Sequence, residues 1–228
     1  MLQLSPRLQA IIELIVPDKV LADVGTDHAY VPVSAVLSGI VPQAIASDIN
    51  LDPIRAAQET IVQNGLVGLI EVRHGPGLNV LSPGEAGTIV IAGMGGTTIC
   101  TILAAGMDTA REACRLVIQP MVRIAETRAW LVDHGFVIVD ERMAKEGRHL
   151  YQIIAAEPGA SPHLTSLELE YGPVLLRMRA PLLRELLSRD LAITEAAING
   201  LKKAAVKQPR LAEFIAQQQR ITEALNEW

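Results

Sequence analysis

The stretch Val20–Pro32, VLADVGTDHAYVP, holds the residues of this chain best placed to do chemistry. An apolar run ends on Asp23, Gly25 supplies a turn, and Asp27 and His28 stand side by side where the next helix opens. A carboxylate beside an imidazole can bind a cation, orient a polar edge or answer a developing positive charge. Gly25 lets the backbone approach a ligand closely. The same layout is how a doubly wound α/β domain receives an adenosine-containing cofactor. The second glycine of the dinucleotide fingerprint is missing, because Asp27 occupies its place. That glycine serves the approach to a pyrophosphate. S-adenosylmethionine has none, so a methyl donor suits this pocket better than a nicotinamide dinucleotide.

Other apolar runs end on equally unusual residues. Asp48 closes the second run, 25 residues after Asp23, near the separation of about 20 at which an acid binds a ribose. Ile49 follows it. Gly75, Gly77 and Leu78 close the third run in RHGPGL and would lie beside an adenine ring. The fourth run ends in IAGMGG, where Ala92, Gly93 and Met94 face the donor and Gly95 and Gly96 face an incoming base. Gln119 and Pro120, after the fifth run, would flank the target. Asp23, Gly25 and Thr26 complete the cofactor set. Plainer readings remain open: Asp27 as a helix cap, His74 as an ordinary strand-end histidine, and the glycine loops as turns demanded by packing.

These residues need a scaffold. Of 228 residues half are hydrophobic and only 3% aromatic, so the core must be Leu, Ile, Val and Ala, which suits a parallel sheet covered on both faces. Strands are expected at 19–24, 43–48, 70–74, 88–92 and 115–118. An opening helix around Leu8–Ile15 carries Ser5 as a plausible cap before Pro6, and further helices follow over 31–37, 53–64, 96–105 and 124–133. Strands 136–143 and 150–156, joined by a short turn, form an antiparallel hairpin at a sheet edge. Five βα units and a closing hairpin fit a Rossmann-like α/β methyltransferase sheet of seven strands. Cys100 and Cys114 have no metal-like spacing, and a reducing cytoplasm is expected. The N-terminus does not read as a signal peptide. No apolar run approaches the roughly 18 residues of a membrane span. Neither a metal nor a membrane is expected as a partner.

The turn-rich segment 157–162 marks a boundary, giving domains 1–158 and 163–228. Beyond it the pattern is helical. Leu183, Leu186, Leu187, Leu191, Thr194, Ile198 and Leu201 keep a heptad-like spacing, as do Leu211, Phe214, Ile215, Ile221 and Leu225, with Gln208-Pro209 between. This predicts a coiled-coil hairpin, its first helix about 39 Å long if it spans roughly 26 residues. The net charge is −5, yet Arg177–Arg220 holds nine basic and four acidic residues. That stretch is about +5 in an acidic protein, which fits either a nucleic-acid contact through Lys202, Lys203 and Lys207 or a solvated or oligomerising hairpin.

Taken together and in order, ADVGTDHAYVP, IASDIN, RHGPGLNVL, IAGMGG and VIQP resemble the bacterial TrmK-like family of tRNA methyltransferases, over almost the whole chain. The resemblance implies a class I methyltransferase fold with a C-terminal helical coiled-coil hairpin. It implies S-adenosylmethionine as cofactor, ring nitrogen 1 of the adenine at tRNA position 22 as target, and tRNA held partly by the hairpin. Two positions depart from the family. Members carry an acid between the glycines of the third motif, where this chain has Pro76, and continue Gln-Pro with Asn, where it has Met121. On this reading Asp27 stabilises charge developing on the base, and His28 orients Asp27 or touches the base. The expected enzyme is a monomer. A methyltransferase for another RNA or a small molecule, a cofactor-binding protein without catalysis, and an NAD-linked oxidoreductase are the competing readings.

Overall fold

The structure, a computed structural model, describes residues 3–203 and 210–227. It divides into two compact units, Met1–His163 and Leu164–Trp228.

The first unit is built on seven strands: β1 Leu21–Val24, β2 Ala44–Asp48, β3 Ile70–His74, β4 Thr88–Met94, β5 Arg115–Pro120, β6 Phe136–Glu146 and β7 His149–Pro158. Their order in the sheet is β3-β2-β1-β4-β5-β7-β6. The first five run parallel, while β7 is antiparallel to both β5 and β6. Every residue of β1 is buried, as a central strand covered on both faces requires. Because β1 pairs with β2 on one side and β4 on the other, the winding reverses there. A crevice at such a switch point, outside the carboxyl ends of the strands, is where open α/β sheets bind ligands.

Six helices belong to this unit: α1 Pro6–Ile12, α2 Tyr30–Leu37, α3 Leu51–Gln63, α4 Gly96–Ala105, α5 Met107–Glu112 and α6 Ile124–Asp133. Ser5 caps α1, its hydroxyl accepting from the Leu8 N–H, and Pro6 takes the first turn, where a missing N–H costs nothing. Ala10, Ile11 and Ile12 turn inward. The Arg7 N–H donates to Glu146 Oε1 at 2.9 Å, and the Leu14 carbonyl accepts from Arg115 Nη1 at 3.1 Å. The segment is thus pinned to the end of β6 and to the start of β5. Arg128 of α6 and Glu141 of β6 form an ion pair with neither side chain exposed, and Gln152 of β7 also accepts from the guanidinium.

The expected strands are all present, with shifted ends. β4 and β5 run on together, because a bulge near Gly93 lets Ala92 pair with Gln119 and Met94 with Pro120. α5 and a short 3-10 turn at Gly77–Val80 were not expected. Asp27 does not cap α2: the cap position is Ala29, at φ 55°, and its N–H donates to Thr26 Oγ1 at 3.2 Å.

The second unit is helical: α7 Ser166–Tyr171, α8 Pro173–Met178, α9 Pro181–Lys203 and α10 Arg210–Asn226. Thr165 and Glu168 form a reciprocal capping box on α7. Gly172 at φ 89° and Arg179 at φ 49° break the chain into separate helices, so α9 has 23 residues and about 35 Å rather than the expected 39 Å. Leu183, Leu186, Leu187, Thr194 and Ile198 of α9 and Ile221 and Ala224 of α10 are buried. Gln218 Nε2 on α10 donates to Glu195 Oε1 on α9 at 3.2 Å. Gln208-Pro209 lies outside the described residues. Among the described residues no helix is long and apolar enough to cross a membrane.

Candidate active site

A cavity of about 400 Å³ opens at the carboxyl ends of β1 and β4. Asp23, Gly25, Thr26, Asp27 and His28 line it from the β1 side, Ala92 and Gly93 from the β4 side, and Arg7 from α1. The β1 turn is held against β2, since the N–H groups of Gly25 and Thr26 both donate to the Ser47 carbonyl at 2.8 Å. Gly25 adopts φ 80°, and a Cβ there would stand 1.9 Å from Met94 Cε. The positive φ favours glycine, and the Met94 methyl fills the space where a side chain would begin. The loops after β1 and β4 therefore touch.

Asp23 is buried, and burial pushes its carboxyl up to about 6; the Thr26 hydrogen bond and the Arg7 charge pull it down, while Asp48 adds to the rise. Asp27 and His28 are different. Their side chains are 82% and 44% exposed, with His28 Nε2 3.6 Å from Asp27 Oδ2. The His28 ring stacks on Tyr30 at 5.2 Å between centroids. An exposed carboxylate, an imidazole and a phenol thus stand together at the cavity wall.

At the end of β2, Asp48 Oδ1 accepts from the Asn50 backbone at 2.7 Å and its side-chain amide at 3.0 Å. Asp48 Oδ2 has no hydrogen bond among the described residues and remains available to a diol. Ile49 is exposed, and its carbonyl lies 2.9 Å from His74 Nε2. Gly75 donates its N–H to the Asp48 carbonyl at 3.0 Å. Gly77 takes φ 53°. The Leu78 side chain is buried and lies where a Cβ on Gly106 would fall. Leu78 can thus offer a ligand its backbone only.

The loops after β4 and β5 are zipped together. The Met121 N–H donates to the Met94 carbonyl at 2.8 Å, and the Gly96 N–H to the Val122 carbonyl at 3.0 Å. A Cβ on Gly96 would meet Thr127 Oγ1 at 2.3 Å and two backbone carbonyls within 3 Å. Gly96 is thus required by close packing, while Gly95 remains partly exposed.

The sequence placed Gln119 and Pro120 beside the target, but both are buried. Gln119 Oε1 accepts from Arg7 Nη1 at 2.9 Å and the Gly93 N–H at 3.2 Å, and its Nε2 donates to the Pro120 carbonyl at 3.1 Å. With its amide engaged on both sides, Gln119 supports the loop. The surface next to it belongs to Met121 and Val122, 46% and 59% exposed. Lys202 is an exposed residue of α9; the Lys203 side chain and all of Lys207 lie outside the described residues. No cluster of three metal-ligating side chains occurs among the described residues.

Sequence reasoning missed Arg7, Tyr30 and Val122, and named Met121 only as a departure from the family pattern. Arg7 carried one signal: a cation in the first turn opposes the helix dipole, so it needs another reason to be there. Its contacts are with residues more than a hundred positions away, which local pattern does not reveal.

A methyltransferase domain model matches residues 4–154. The tRNA (adenine(22)-N(1))-methyltransferase of Bacillus subtilis (strain 168) is 41% identical over 158 residues, covering 69% of this chain and 66% of that protein, just under two thirds of its length. The crystal structure of the B. subtilis M1A22 tRNA methyltransferase TrmK superposes with a TM-score of 0.88 at 32% identity, covering 99% of this chain and 100% of that one. The Streptococcus pneumoniae protein Sp1610 in complex with S-adenosyl-L-methionine gives 0.88 at 30% identity, covering 98% and 100%.

Proposed function

This chain belongs to the TrmK-like family of tRNA (adenine-N1)-methyltransferases, and on that premise we propose that it methylates ring nitrogen 1 of adenine 22 in tRNA, using S-adenosylmethionine. The observation that carries the reading is the junction of two environments at the ends of β1 and β4. A buried acid and a glycine cradle stand next to an exposed Asp-His pair.

The residues fit the donor. The turn at Gly25, at φ 80°, brings bare backbone to the cavity wall, the free oxygen of Asp48 suits a ribose diol, and Asp23 suits an ammonium. When bound, the donor supplies an electrophilic methyl that the lone pair of an adenine ring nitrogen can attack in line. That nitrogen carries no proton, so no general base is required. The base must leave its stack to present this edge, at a cost of a few kcal/mol. Asp27, exposed at the cavity wall, answers the positive charge that grows on the base. His28 orients Asp27, and the stacked His28–Tyr30 pair offers the extruded ring an aromatic surface. Met121 and Val122, exposed and bonded to the β4 loop, supply apolar contact. Much of the rate enhancement then comes from holding two reactants in register.

The second unit is assigned to tRNA binding, with Lys202, Lys203 and Lys207 on backbone phosphates and α9 and α10 packed as a coiled coil. The heptad-like burial of α9 supports this packing. The free cysteines Cys100 and Cys114 are consistent with work in the reducing cytoplasm, and the enzyme is assigned as a monomer. A pair of tRNA transcripts tests the target. One with adenosine at position 22 should accept methyl, whereas one with guanosine there should accept none; equal labelling of both would reject the assignment.

A further inference from the structure

We propose that the tip of the β6–β7 hairpin is an RNA contact on the first unit, an inference that rests on the reading of this chain as a tRNA methyltransferase. His149, backed by Tyr151, stacks on an unpaired nucleotide near the target adenine, and Arg148 takes a backbone phosphate. The hairpin is longer than the sheet that carries it. β7 pairs with β5 only at Ala156, Ala155 and Ile154, yet it pairs with β6 as far as His149. Because β7 runs antiparallel to β5, the residues from Ile154 back to His149 project toward the carboxyl ends of the parallel strands, where the cavity opens. Their reach past the last pair with β5 is about 17 Å. A bulge between Ile138 and Asp140 bends β6 just before this extension.

The near part of the extension is covered: Ala144 and Ile153 are buried. The Arg7 guanidinium, from a residue that lines the cavity, lies over the Tyr151 ring at 5.6 Å from its centroid. Tyr151 pairs with Ala144, and His149, two residues away, shares its face of the hairpin. The two rings stack at 6.2 Å between centroids and 27° between planes. Three flat groups, Arg7, Tyr151 and His149, thus lead from the cavity wall to the tip. Tyr151 is half-buried and His149 is exposed, so the run opens to solvent at its outer end. Gly147, at φ 58°, sets the two-residue turn, and Arg148 follows it, exposed. The Arg148 and His149 side chains make no hydrogen bond or ion pair among the described residues. Unpaired nucleotides are held by such a combination, with rings under the bases and a cation on the phosphates. Extruding the target base deprives its neighbours of a stacking partner, which a run of rings beside the cavity replaces. An acidic protein surface would satisfy Arg148 but leave the stacked rings without a use.

The experiment measures filter binding and steady-state methylation of a tRNA transcript, with calorimetry of S-adenosylmethionine beside them. His149→Ala should raise Kd and KM for tRNA by about 5- to 20-fold and leave donor affinity within about twofold. His149→Phe, which keeps a ring, should recover most of the loss. Arg148→Ala should reduce the slope of log affinity against log salt by about one, whereas His149→Phe should leave that slope as it is. Unchanged tRNA affinity in His149→Ala, or a loss that Phe does not recover, would overturn the stacking contact. An unchanged slope in Arg148→Ala would overturn the phosphate contact. Equal loss of tRNA and donor binding would make His149 a brace for the cavity and overturn the proposal as well. Wild-type protein that binds no tRNA rejects the target reading itself, whereas wild-type binding that these substitutions leave untouched rejects the hairpin site alone.

Discussion

Two carboxylates of the candidate site sit only four residues apart, yet burial sets them to different tasks. Asp27 is exposed and free to meet a substrate, so Asp27→Ala should lower the turnover number by at least about 100-fold, in the range expected for one preorganised electrostatic group. Affinity for the donor should change far less. Steady-state kinetics beside calorimetry checks this, and near-wild-type turnover would remove Asp27 from the mechanism. Asp23 is buried, with its carboxyl raised to about 6. A raised acid contributes stability below its unfolded value of 3.8, which is lost as pH rises through about 6. Relative to Asp23→Asn, the ligand-free protein should therefore lose stability between about pH 4 and pH 6. An ammonium favours the ionised carboxylate, so donor affinity should rise across about pH 5 to 7 in the wild type. The slope should flatten in Asp23→Asn; identical slopes would place the ammonium elsewhere. Gly25, Asp27, His28 and Asp48 were legible in the sequence because local turn chemistry and strand ends mark them. Arg7 and the engagement of Gln119 were not, because they follow from the packing of α1 against β6 and β7 and from the Arg7–Gln119 hydrogen bond, contacts between distant segments.

At the scale of elements, the site is held by loops that cannot move independently. The β4 and β5 loops share two backbone hydrogen bonds, and Gly96 allows α4 to begin against the 122–127 segment. Gly96→Ala should cost about 1–3 kcal/mol through overpacking and should also depress turnover, because Met121 and Val122 would shift. Thermal melts and kinetics on the same variant test both, and a fully active, fully stable protein would refute the coupling. Behind these loops α6 is locked by the buried Arg128–Glu141 pair. Removing Glu141 takes its carboxylate from a buried guanidinium, so Glu141→Ala should cost about 3–5 kcal/mol and lower the melting temperature on the order of 10 °C. The strands and longer helices were readable from apolar runs and from punctuation by glycine, proline and acids. The shorter pieces were not. α7 and α8 are six residues each, too short for periodicity to separate them from α9. The breaks depend on left-handed backbone at Gly172 and Arg179, and an arginine gives no warning of that.

For the whole molecule, charge is divided along the chain: Arg177–Arg220 is about +5 within a protein of net −5. If this stretch holds tRNA by its phosphates, affinity must fall steeply with salt. Neutralising Lys202, Lys203 and Lys207 together should weaken binding and reduce the slope of log affinity against log salt by up to about 3, close to one for each phosphate left without its lysine. An unchanged slope would move the RNA site off this segment. The central claim, methyl transfer to ring nitrogen 1 of a tRNA adenine, is tested most directly by incubating the purified protein with radiolabelled S-adenosylmethionine and unmodified bulk bacterial tRNA, then digesting the RNA and identifying the labelled nucleoside. The account predicts label in 1-methyladenosine. Label in a different nucleoside, or none in any tRNA while donor binding is intact, would contradict it.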